Sequence, residues 1–153
     1  MYSTVLLIHS WVRWVALVAA VGAAFAAVRN QVVGERSIAD RWGLIAMMTL
    51  DIQMLLGLLL YLGLSEYTRA AMQDFSLAMR TPQLRFWAVE HTTSMFGAVI
   101  LAHVGRVLAR KAATPTSKRT RILVCFGLAA LLMIVGMPWP GMANGRPLFR
   151  VSF

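Results

Sequence analysis

Four runs of apolar residues, each near the length of a bilayer crossing, divide the chain, and polar segments rich in arginine separate them. They cover about 5–28, 42–62, 84–109 and 122–137. A helix needs roughly 20 apolar residues to span the hydrocarbon core. The strict alternation of a soluble core is missing, so the pattern predicts four membrane-spanning helices. In the first run Ala16, Ala20 and Ala24 recur at a spacing of four, with Ala19, Ala23 and Ala27 beside them. Small residues at that spacing let backbones approach and predict a helix inside a bundle. The stretch from Leu55 to Leu62 reads as lipid-facing. After Gly63, Ser65 has the character of an N-cap, and Thr68, Met72, Phe75 and Met79 recur at helical spacing. A short amphipathic helix on the membrane surface is expected there. Pro138-Trp139-Pro140 closes the fourth run, and the tail 141–153, which lacks periodicity, is expected along the surface or on a partner. The predicted fold is all-α, a single-domain integral membrane four-helix bundle with a short amphipathic surface helix between helices 2 and 3.

Composition agrees, with 59% hydrophobic and 14% charged residues and a mean hydropathy of +0.67. The net charge of +9 would suit nucleic acid, but the 15 basic residues gather at the ends of the apolar runs. Headgroups and topology explain that placement, so lipid is the expected partner and nucleic acid is not. Arg29 to Arg41 holds three basic residues and Arg106 to Arg121 six. The second of these, with Pro115 in its middle, reads as a solvated loop. The positive-inside bias puts both segments in the cytoplasm and both termini outside, which in a bacterium is the periplasm. Met1-Tyr2-Ser3-Thr4 has no basic start, and His9 and Arg13 break the first run, so no cleaved leader is expected. Lone Cys125 reads as a packing residue. No HExxH, Ser-His-Asp order or Gly-rich phosphate loop is present, so hydrolytic chemistry is not expected.

The chemistry lies inside the runs. The third opens with Arg85-Phe86-Trp87-Ala88-Val89-Glu90-His91, and an ionisable group at a helix centre costs roughly 2.5–3.5 kcal/mol, so such groups face an interior and mark pairs, pathways or cofactors. Helical rise places His9 about 6–8 Å and His91 about 9 Å below the outer ends of helices 1 and 3. The two imidazoles are level, on spans of the same direction, as in a bundle that holds a haem between two histidines. Arg80 and Arg85 would then pair with its propionates. Arg13, one turn beyond His9, is expected to pair with Asp51, and Gln53 and Glu90 to complete a polar core, Glu90 either joining that pair or accepting from His9. Thr92, Thr93 and Ser94 are expected to bond to carbonyls one turn earlier. Trp11 and Trp14 read as interfacial anchors. His103, about 18 Å deeper than His91, has no histidine partner at its level and reads as an interfacial or packing residue. The competing readings are a polar core without cofactor, copper held by histidine with Met95, and a chlorophyll-type pigment on one histidine.

At His9-Ser10-Trp11-Val12-Arg13-Trp14, Asp51-Ile52-Gln53 with the Leu-rich run to Tyr61, Arg85-Phe86-Trp87-Ala88-Val89-Glu90-His91, and Pro138-Trp139-Pro140, the chain resembles small bacterial four-helix integral membrane proteins catalogued as cytochrome b-like. The resemblance covers nearly its whole length and implies a haem b and electron transfer, carried onto His9 and His91. Relatives often have histidine where this chain has Asp51, so no ligand is expected from helix 2. Two functions are weighed. One is a haem b protein of the cytoplasmic membrane, a redox carrier rather than an enzyme on its own, exchanging single electrons near the periplasmic face with quinol or a partner complex. The other is a non-catalytic accessory subunit of a respiratory or photosynthetic complex.

Overall fold

The first apolar run becomes α1 (Tyr2–Val28), which stops where Asn30 turns left-handed at φ 58° and the amides of Asn30 and Gln31 return to the carbonyls of Ala27 and Ala26. Asparagine tolerates that conformation, and the paired bonds satisfy carbonyls left open at the helix end. A computed structural model describes residues 1–34 and 36–149 of the chain. Next, α2 (Ile38–Leu59) starts four residues before the expected span, because Ser37 and Asp40 form a reciprocal capping box. It runs on through a wide π-helical turn, Leu60–Leu64, to Ser65.

The expected amphipathic segment forms and begins at Ser65 as predicted, but it is split. Ser65 caps α3 (Glu66–Gln73), and Asp74 leaves the helical conformation to cap α4 (Phe75–Arg80) by accepting from the amide of Leu77 at 2.8 Å. Then α5 (Pro82–Arg85) passes through a second π-helical turn, Phe86–Glu90, into α6 (His91–Arg110). The basic segment expected as a loop is a correction. α6 continues to Arg110, and α7 (Pro115–Gly136) starts at Pro115 with Thr114 as its cap. Proline at the first helical position favours a start, since its missing amide has no partner to lose there.

Among them, α1 packs on α2 and α7, and α6 packs on α7 and α2, so α1 and α6 face each other across the diagonal of the bundle. Ala16, Ala19, Ala20, Ala23, Ala26 and Ala27 are buried along one face of α1, and Leu50, Ile122, Phe126 and Met133 fill the space they leave. α6 and α7 pack tightly at Gly105, where an added Cβ would stand 2.5 Å from that of Cys125. Large apolar residues such as Val18, Phe25, Leu55, Ile100 and Val135 point outward. The stretches Tyr2–Val28, Ile38–Leu64, Pro82–Arg110 and Pro115–Gly136 are each long and apolar enough to cross a membrane. The chain is an all-α, multi-pass membrane bundle.

The arginine-rich end is fastened by one carboxylate. Lys118 Nζ lies 2.5 Å from Asp40 Oδ2 and donates to the Gly34 carbonyl at 3.0 Å, while Arg106 donates to the Asp40 carbonyl at 3.0 Å. Both side chains of the ion pair are about 85% shielded, and removing one partner of a buried pair leaves the other charge uncompensated. Asp40→Ala is therefore expected to lower stability by about 2–4 kcal/mol, read as thermal loss of helicity in detergent. An unchanged midpoint would show that this clamp contributes nothing.

Candidate cofactor site

The outer end of the bundle is shaped by the two π-helical turns. Such a turn inserts one residue into the helix and frees backbone carbonyls, which need other donors. Tyr61, within the first turn, donates its hydroxyl to the Ala88 carbonyl of the second at 3.0 Å, and Thr92 donates to the Trp87 carbonyl at 3.1 Å. The extra residue re-aims the start of α6, and His91 is its first residue. Its Nδ1 lies 2.8 Å from the Gly136 carbonyl of α7. A carbonyl only accepts, so Nδ1 carries the proton and Nε2 keeps the lone pair. The rings of Trp87 and Phe86 stand 5.5 and 6.0 Å from the imidazole.

His9 comes from the opposite helix of the diagonal. Buried Gln53 donates to the His9 carbonyl at 2.9 Å and fixes α1 against α2 at that level. Gly57 leaves room for the ring, since a Cβ there would lie 3.4 Å from His9 Cε1. The centres of the two imidazoles are 6.4 Å apart, with 61° between the ring planes. His9 Nδ1 and Gln53 Oε1 are buried without a hydrogen-bond partner among the described residues. Both histidines line a cleft together with Arg13, Tyr61, Trp87, Met133 and Arg146.

Other expected contacts are not made. Arg13 does not pair with Asp51; it donates to the Leu148 carbonyl at 2.8 Å, which also accepts from Trp14 Nε1 at 3.0 Å. Phe149 lies against Trp14 and Trp11, with ring centres 5.5 and 5.7 Å away, so both tryptophans serve the tail as well as any interface. Asp51 instead meets His103, Oδ1 to Nε2 at 3.5 Å, on a half-exposed face of α2 and α6. His103 Nδ1 lies 3.0 Å from the Val99 carbonyl. Both ring nitrogens thus face oxygen atoms. His103 thus has a polar neighbour on the adjacent helix, Asp51, that the reading by depth alone did not supply. Glu90 accepts from Arg85 Nε at 2.7 Å rather than from His9. Arg85 also reaches the Met79 carbonyl at 3.3 Å, Arg80 is exposed, and neither lines the cleft.

The arginine found there instead is Arg146. It donates to the Tyr2 hydroxyl at 3.2 Å and lies 4.6 Å from the centre of the Trp87 ring. It stands in an aperiodic tail between Gly145 and Pro147, where only its charge amid turn residues marked it. Thr93 bonds to the Val89 carbonyl at 2.7 Å, one turn back as expected, whereas Thr92 reaches five residues back because of the wide turn. Among the described residues no three His, Cys, Asp or Glu side chains stand together as a metal site. Comparisons with protein-family models, with curated proteins and with solved structures find no match to this chain.

Proposed function

We propose that the protein binds haem b between His9 and His91 and acts as a one-electron carrier of a bacterial cytoplasmic membrane, exchanging electrons near the periplasmic face with quinol or a partner complex. The observation that carries this reading is the pair of imidazoles 6.4 Å apart, centre to centre, across a cleft. Two imidazoles bound to one metal from opposite sides, with nitrogens about 2 Å from it and ring centres about 1.1 Å farther, would be about 6.3 Å apart. The donor set fits as well. A porphyrin supplies four of six donors to iron, so two protein ligands are enough, and no cluster of three is required. His91 donates Nδ1–H to the Gly136 carbonyl, the outer hydrogen bond that ligating histidines commonly make to fix ring and tautomer. Met95, the soft donor of the copper alternative, packs its terminal methyl against Gly136.

When bound, haem b supplies a one-electron couple. The chain's own residues would do the rest: His9 and His91 hold the iron, Trp87 and Met133 keep water from the ring, and Tyr61 keeps the two wide turns in register. The excess of basic residues at the end away from the termini supports a topology with both termini periplasmic. The test is an absorption spectrum of the purified full chain, from haem-replete cells, before and after dithionite. A b-type band with about one haem per chain is expected. Colourless protein would overturn the reading and leave the accessory subunit, while copper by metal analysis or a magnesium tetrapyrrole by extraction would identify the other ligands.

A further inference from the structure

Arg13 of α1 and Arg146 of the tail reach the same cleft from different elements, and among the described residues neither forms an ion pair with a carboxylate. Arg13 gives one nitrogen to the Leu148 carbonyl, and its Nε is buried with no partner among the described residues. Among the described residues Arg146 has one hydrogen bond, to the Tyr2 hydroxyl, and it is otherwise laid against Trp87. Each guanidinium has five N–H donors in a fixed fork, so both keep most of their capacity free. Two uncompensated cations at the edge of an apolar cleft are costly unless an anion meets them. Under the tail, a second and more polar cavity shares Ser10, Trp87 and Arg146 with the cleft. Asn144 lines it, and its buried Oδ1 has no partner among the described residues. Amide oxygen and nitrogen exchange places by a simple flip, which would turn a donor toward the same space.

We propose that Arg13 and Arg146 form a carboxylate-recognition pair, which selects for this cleft a porphyrin with free carboxylates over one whose acids are esterified. The inference rests on the haem reading and sharpens it, because it sets a porphyrin diacid apart from an esterified chlorophyll-type pigment. Planar guanidinium groups match carboxylates through two parallel hydrogen bonds, a geometry that an ester, with neither the charge nor both acceptor oxygens, does not offer.

The test uses the full chain, purified in neutral detergent from haem-depleted cells and titrated with iron protoporphyrin IX and with its dimethyl ester. Binding is read by Soret absorbance and tryptophan quenching. The diacid is expected to bind on the order of ten- to a hundredfold tighter than the diester, the range of a charge-assisted hydrogen bond lost. Arg13→Ala with Arg146→Ala should abolish the preference, the two affinities converging, and Arg13→Lys with Arg146→Lys should restore part of it. The comparison on the unsubstituted chain stands even if the variants misfold. Equal binding of diacid and diester, or a preference that survives in the double alanine variant, overturns the carboxylate pair and leaves the haem reading standing. If neither compound gives a spectrum that depends on His9 and His91, both fall together.

Discussion

Exchange of His91 for alanine is expected to remove the haem from the purified protein while leaving its helix content as it was. His91 is the better anchored of the two imidazoles: its Nδ1 is held by the Gly136 carbonyl and its ring is flanked by Trp87 and Phe86. A ligand oriented this way loses little freedom on binding and is made more basic by the bond behind it. His9 has no such bond, since its Nδ1 lacks a partner among the described residues. His91→Ala should therefore cost most of the haem, whereas His9→Ala should keep a substantial share of it in a five-coordinate, high-spin form. The fold survives because the ring borders the cleft and lies outside the alanine-lined core of α1. Removing its hydrogen bond forfeits about 1–2 kcal/mol, too little to unfold a bundle of four packed spans. The measurements are haem per chain by pyridine haemochrome, spin state by absorbance, and helicity by circular dichroism. Unchanged haem in both variants would end the bis-histidine proposal.

The same residues show how far the sequence could be read. The four spans were legible because a helix that crosses lipid must be long and apolar. Their starts were not, because Ser37 and Thr114-Pro115 begin helices inside polar segments, and a window that looks for apolar residues cannot see a cap. His9 and His91 could be set level because helical rise converts residue number into depth. Depth says nothing about direction around the axis, and that is where the Arg13 to Asp51 pairing failed: Arg13 turns to the tail, and Asp51 to α6. Arg85 and Glu90 make the point in reverse. Residues five apart on a regular α-helix are about 140° apart around it, so an ion pair between them is not expected. The π-helical turn brings them onto one side and joins them at 2.7 Å. No propensity marks such a turn, and Arg146, in a stretch without period, was beyond pattern altogether.

Gly136 is where packing and chemistry meet, and Gly136→Ala is expected to weaken haem binding by about 10- to 100-fold, the range found when an outer-shell partner of a ligating histidine is disturbed. A Cβ at this position would stand 2.7 Å from Met95 Cε and 2.8 Å from Ser94 Cβ. The methionine methyl can swing aside. The serine Cβ is fixed to the backbone of α6, so the end of α7 must move away instead. Its carbonyl at residue 136 moves with it, and that carbonyl holds His91 Nδ1 at 2.8 Å. A shift of a few tenths of an ångström lengthens and bends this bond, and the imidazole loses the orientation that aims Nε2. Gly105→Ala is the control: its Cβ would meet that of Cys125 at 2.5 Å between the same two helices, fourteen residues along α6 from His91. Overpacking of this kind costs about 1–3 kcal/mol wherever it occurs. If haem affinity falls only through loss of fold, both variants should lower the thermal midpoint and the haem affinity in proportion. If Gly136 acts through His91, Gly136→Ala should depress haem affinity far beyond what its effect on stability accounts for, and Gly105→Ala should not. Parallel behaviour of the two variants would remove the Gly136 carbonyl from the account of the site.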